Sequence, residues 1–234
     1  MDAIIVVLIA AVDILLYSLL YRALNGGGEG YPPDRRDNET QVYASRIAGV
    51  IFFGLIPLVA IGWILDGRLT AFGFVFVNSR KVLKWIVPAI LLVVPACILQ
   101  SKSAGNLKQY PQIRILNWNF RIFFSSALTW MAYLLSYEFF FRGVLLFACW
   151  NALGLEWAIA VNVVFYALAH IHKGRFEVIG SIPLGAVLCL LTVYTGSFWM
   201  AFFIHASIAL TNEWASLYFS KQIHFRPFGE SETI

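Results

Sequence analysis

Charge is what this sequence has least of. Only 13% of its 234 residues are Asp, Glu, Lys or Arg, against about 25% in an ordinary soluble domain. A water-facing surface for a chain this size needs more charge, so a soluble globular protein is excluded. Cysteine is also scarce. Cys97, Cys149 and Cys189 each lie within an apolar run and have neither metal-ligand nor disulfide-framework spacing. Alternating strand patterns are missing, which excludes a β-barrel. So are His-Glu-x-x-His, the Gly-x-Ser-x-Gly elbow, the phosphate-binding glycine loop and the intramembrane Tyr-Asp and Gly-Asp pairs. No internal repeat and no separate soluble domain can be discerned.

What remains is apolar: 60% of the residues are hydrophobic and 16% aromatic. Several runs approach the roughly 20 residues needed to cross a bilayer. In lipid the backbone must satisfy its own hydrogen bonds within each segment. The expected fold is therefore all-α, a polytopic transmembrane bundle of seven or eight spanning helices, and residues 1–234 form a single integral membrane domain. The spacing predicts helices over about 3–21, 47–65, 83–100, 119–137, 139–151, 155–171, 178–195 and 198–219. The fourth and fifth of these read equally as one bent helix. The run over 3–21 lacks the basic start of a cleavable signal and reads as a retained first span. Residues 25–41, rich in Gly, Pro and charge, read as a surface loop. Net charge is +4, and successive loops are all basic, so the positive-inside rule gives no orientation. Those basic residues suit lipid headgroups, and nucleic acid is not an expected partner. Oligomeric state and the particular membrane stay open.

Ionisable residues inside apolar runs cost roughly 2.5–3.5 kcal/mol each at a helix centre, which makes them candidates for function. The acids are Asp13, Glu138, Glu156, Glu177 and Glu213. The histidines are His170, His172, His205 and His224. In "SYEFFFRG", Glu138 and Arg142 lie four apart and share a helical face. They are either a pin between helices or a carboxylate held charged for use on water. His170 ends an apolar helix, where a capping role is as good a reading as a chemical one. Glu177 opens the next helix, where an acid suits the positive end of the dipole. His205 lies deep in the last run, with Asn212 two turns on. A glutamate and two histidines on different helices can activate water directly or through a metal.

The ordered set "SYEFFFRG", "FYALAH" and "FFIHASIA" resembles the CAAX prenyl protease and bacteriocin-processing family of intramembrane proteases, over about 120–220. That family's pattern is Glu-Glu-x-x-x-Arg, Phe-x-x-x-His and His-x-x-x-Asn or Asp. Glu138, Arg142, His170 and His205 fill matching places. Tyr137 stands at the first glutamate, Tyr166 at the phenylalanine and Ala209 at the final polar position, so this is a divergent member. The resemblance implies an intramembrane endopeptidase acting on membrane-associated or lipid-modified protein substrates. In it Glu138 activates water, Arg142 fixes the carboxylate, and His170 and His205 bind the oxyanion or a metal. Glu177, Tyr137 and Asn212 are possible supporting residues. Cofactor use stays open: a divalent ion such as zinc, with His170, His205 and Glu138 as candidate ligands, or none. The competing readings are a non-catalytic scaffold or regulator of the same fold and, further off, an ion-binding transporter.

Overall fold

The computed structural model describes residues 2–25, 38–63, 68–75, 79–171 and 174–226. The chain runs through α1 (Asp2–Asn25), α2 (Glu39–Trp63), α3 (Ser79–Gln100), the one-turn α4 (Ala104–Leu107), α5 (Phe120–Leu153), α6 (Leu155–Ala169), α7 (Arg175–Thr195) and α8 (Trp199–Phe219). A parallel pair of two-residue strands, β1 (Asn117–Trp118) and β2 (His224–Phe225), ties the start of α5 to the segment after α8. The all-α expectation therefore holds. Among the described residues α1, α2, α3, α5 and α7 are long and apolar enough to cross a membrane, and the protein is an integral membrane protein. Of the other two long segments, α6 has 15 residues, while α8 carries His205, Asn212 and Glu213 on its buried side.

Two helices bend at the places that matter. In α2 the stretch Ile51–Leu55 is a π-turn, and in α5 so is Phe139–Leu145. Of residues 119–151, which read as one helix or two, Asn119 is the N-cap and the rest lie within a single continuous helix interrupted by that widened turn. Single π-turns inside α-helices are frequent at functional sites. The two π-turns face each other through aromatic rings. Phe53, fully buried in the first, packs edge-on against Tyr137 at 5.3 Å and lies 5.7 Å from Phe140 and 6.0 Å from Phe141.

α2 begins at Glu39, well before the expected residue 47. Its first turns are polar and overlap the loop expected over 25–41 only at residues 39–41, yet they face protein. Arg46 is 4% exposed and pairs with Glu213 of α8 at 3.7 Å. It also donates to the Ser126 carbonyl at 2.7 Å, to the Thr129 hydroxyl at 3.1 Å and to the Gln112 side-chain oxygen at 2.9 Å. Gln112 N–H in turn donates to Glu213 Oε2 at 2.9 Å. Hydropathy places such residues outside the bilayer because it does not see the partner that buries them. On the outer surfaces the side chains are apolar, with Leu8, Leu92, Leu128, Trp157 and Phe176 exposed. This is the arrangement expected where the solvent is hydrocarbon.

Candidate active site

Glu138 is the last residue before the α5 π-turn, and Arg142 lies within it. Both side chains are 0% exposed. Glu138 Oε2 lies 3.3 Å from Arg142 Nη1. Glu138 Oε1 accepts a hydrogen bond of 2.5 Å from His205 Nδ1 on α8. The carboxylate thus spends one oxygen on an arginine and the other on a histidine. Charge-assisted contacts of this kind are the strong ones, and a charge buried in lipid needs them.

Arg142 is held on its other sides too. Its guanidinium carbon lies over the Tyr166 ring, 3.9 Å from the centroid, and Nη2 donates to the Gly185 carbonyl on α7 at 3.4 Å. A Cβ at Gly185 would come 3.1 Å from the Tyr166 ring, so any larger residue there would push on the ring by a few tenths of an ångström. Arg142 therefore joins α5, α6 and α7 around one charge.

His170 caps α6. Its Nδ1 donates to the Tyr166 carbonyl at 2.8 Å and lies 3.3 Å from the Tyr137 hydroxyl. The Tyr137 ring stands between the two histidines, with centroids 5.9 Å from His170 and 5.9 Å from His205. It is itself 2% exposed. The residue at the family's first glutamate position is thus a buried spacer joining both rings.

His170 and His205 line one cavity of about 200 Å³. Glu177, Asn212 and Ala209 line it as well, while Glu138 and Arg142 do not. Asn212 reaches Ser101 at 3.5 Å and the Cys97 sulfur at 3.9 Å. The residues anticipated from sequence are therefore gathered about one point, but on two levels. The histidines and Glu177 face the cavity, and the ion pair lies behind them. Among the described residues no group of three or more His, Cys, Asp and Glu side chains is placed to hold a metal ion. Glu138, the carboxylate candidate for a zinc set, has its oxygens turned to His205 and Arg142. A zinc site built on His170, His205 and Glu138 does not fit this arrangement. Of the remaining acids, Asp13 and Glu213 are buried and Glu156 is exposed at the start of α6. His172 lies outside the described residues.

Sequence reasoning missed three partners. Tyr166 was read only as a conservative change in a motif, whereas its ring is the platform for Arg142. Asn162, fully buried, donates from Nδ2 to the Phe141 carbonyl within the π-turn at 2.5 Å and accepts from the Cys189 thiol at 3.2 Å. Arg46 lies between the loop expected over 25–41 and the helix expected from 47, and nothing in the sequence singled it out. For Asn162 a signal existed: a carboxamide in the middle of an apolar helix needs a partner.

The fold and site define a class: a helical membrane protein with a buried glutamate–histidine–arginine cluster under a cavity that two histidines line. Residues 117–211 match the family model described as type II CAAX prenyl endopeptidase Rce1-like. That segment holds all three motifs, and over it the resemblance to the CAAX prenyl protease and bacteriocin-processing family of proteases is borne out. Comparison with curated proteins and with solved structures found no match.

Proposed function

We propose that the protein is an intramembrane endopeptidase in which His205, backed by Glu138, activates the attacking water. The observation that carries this reading is the 2.5 Å bond from His205 Nδ1 to Glu138 Oε1 beneath the cavity. With Nδ1 committed to the carboxylate, Nε2 is the ring nitrogen left with a lone pair for the cavity. A carboxylate behind a histidine fixes its tautomer and stabilises the imidazolium that forms, as in the triad logic of other hydrolases. The resemblance put the water on Glu138 itself. Its complete burial and its absence from the cavity wall favour moving that step one residue outward, to the histidine that Glu138 holds.

The reaction follows from this arrangement. His205 Nε2 takes a proton from water as the oxygen attacks the scissile carbonyl carbon. With its Nδ1–H given to the Tyr166 carbonyl, His170 serves the tetrahedral oxyanion as an imidazolium that donates from Nε2. The C–N bond then breaks, and His205 returns the proton to the leaving amine. Arg142 holds the Glu138 carboxylate in place and contributes no atom to the reaction. Substrates would be peptide segments or lipid-modified protein tails delivered along the membrane. No step is assigned to a metal.

The test is cleavage of fluorogenic lipid-modified peptides by protein reconstituted in liposomes. The wild type should release a new amino terminus, and His205→Gln, which alters one of the two contacts to the buried Glu138, should melt somewhat lower, remain folded and release none. Equal cleavage by His205→Gln would overturn the assignment. A non-catalytic role in the same fold is favoured by one observation, that Tyr137 stands where the family has its first glutamate. It predicts saturable peptide binding with no cleavage by the wild type.

A further inference from the structure

The two glycines within α7 stand in different surroundings. At Gly185 a Cβ would press on the Tyr166 ring, whereas at Gly180 it would meet no atom within 4 Å. Glycine is a poor choice for a helix interior, and packing does not ask for it at position 180. What the missing side chain leaves is room. Gly180 lines the cavity together with Phe176 and Leu184, which lie four residues to either side on the same face of α7. The result is a notch between two apolar side chains, in the cavity that His170 and His205 also line. The neighbouring Ser181 hydroxyl is turned away, donating to the Val178 carbonyl at 2.7 Å.

The packing of α3 and α7 leaves this room open. The two helices meet well away from it, where Trp85 packs edge-on against Tyr194 at 5.9 Å. Ile86 and Ala89 of α3 pack there onto the apolar cluster around Leu188 of α7. Gly180 lies about 21 Å along the helix from Tyr194, at 1.5 Å per residue. At that level α3 presents Cys97 and Gln100 to the same cavity, so the helices face each other across space and not through packed side chains.

Resting on the endopeptidase reading, we infer that Gly180 is a specificity-determining residue: the notch between Phe176 and Leu184 receives a large apolar side chain of the substrate next to the scissile bond. The room is what one side chain would fill, which fits a residue of the peptide better than a long lipid chain. Leucine or tryptophan gains packing contacts there that alanine cannot make.

The experiment uses two series of peptides that share one sequence and one lipid. The cleaved bond is first located on the wild type from the masses of the products. One series then carries alanine, leucine or tryptophan just before that bond, the other just after it. In one series the leucine and tryptophan peptides should have KM values roughly fivefold below the alanine peptide. The effect is modest because the peptides come from lipid, where packing and not release from water tells them apart. Gly180→Leu should melt no lower than the wild type, since its Cβ has open space. It should raise KM for the two large peptides about tenfold and make alanine the preferred residue, with Gly180→Ala in between. A size preference that survives Gly180→Leu, or none in either series, overturns the inference. So does a loss shared equally by all the peptides, which would put the obstruction on a part they have in common. Binding measured on the His205→Gln protein keeps the two readings apart. Cleavage without size preference leaves the endopeptidase reading standing while this one fails, and size-selective binding with no wild-type cleavage does the reverse.

Discussion

Glu138 and Arg142 are both entirely out of solvent, so each is tolerable only because the other is there. Removing one partner of a buried pair leaves an uncompensated charge and costs about 3–5 kcal/mol, whereas replacing both by apolar groups is often neutral. Glu138→Gln should therefore melt well below the wild type in detergent and should also fail to cleave. Glu138→Gln cannot separate the two roles, but a double variant can. Glu138→Leu with Arg142→Met should recover most of the lost stability and none of the activity. If it is no more stable than Glu138→Gln, the ion pair is not what the fold depends on. Tyr137 calls for a gentler test. Among the described residues its hydroxyl bonds His170, and a single hydrogen bond contributes about 1 kcal/mol. Tyr137→Phe should keep its melting point within a few degrees and its cleavage rate within about tenfold of the wild type. His170→Ala should lose far more. Comparable losses in the two variants, measured side by side, would mean that the tyrosine hydroxyl takes part in the chemistry.

At the scale of the element, the π-turn over Phe139–Leu145 decides where the charges point. The Phe141 carbonyl within it accepts from Leu146 N–H inside the turn and from Asn162 Nδ2 across the helix interface. Asn162→Leu keeps the size of the side chain but removes that donor and the acceptor for Cys189. The expected cost is about 1–3 kcal/mol, with kcat reduced and KM nearly unchanged, because α6 would no longer hold the turn that carries Arg142. Unchanged kcat with reduced stability would make Asn162 a packing residue only. This element also marks what the sequence could tell. Apolar run lengths located every long helix except the polar start of α2, because hydrocarbon demands such runs whatever packs beside them. Helical spacing put Glu138 and Arg142 on one face, whereas His170 and His205, on other helices, were joined to them through the resemblance to the family's three motifs. Neither signal reports whether a turn is α or π. Neither tells which of two polar groups faces the cavity and which lies behind it. Those outcomes depend on neighbours such as Asn162, Tyr166 and Gly185, far away in sequence, and the sequence contains no term for them.

For the molecule as a whole, two buried ion pairs divide the work. The pair at Glu138 lies on α5 within reach of α8 through His205. The pair at Arg46 and Glu213 joins α2 to α8, and through Ser126 and Gln112 it also fastens α5 and the segment before β1. Asn38 extends this network, donating to the Gln112 carbonyl at 2.7 Å and accepting from Arg114 N–H at 2.6 Å. In hydrocarbon no apolar surface is released from water when helices meet, so association depends on packing and on polar contacts of this sort. The second pair is thus assigned to assembly of the bundle, since it touches neither histidine of the site. Its loss should separate stability from turnover. Glu213→Gln leaves Arg46 buried without its carboxylate and should lower the midpoint of unfolding by the amount expected for a broken buried pair, about 3–5 kcal/mol. The protein that remains folded should cleave with wild-type kcat, because His205, Glu138 and the water between ring and substrate are untouched. A KM change is admissible, as Arg46 lies on the Trp130 that forms part of the cavity wall. Turnover measured per folded molecule at a temperature below the variant's transition decides the matter. A kcat reduced in proportion to the stability loss would show that the two pairs act as one network.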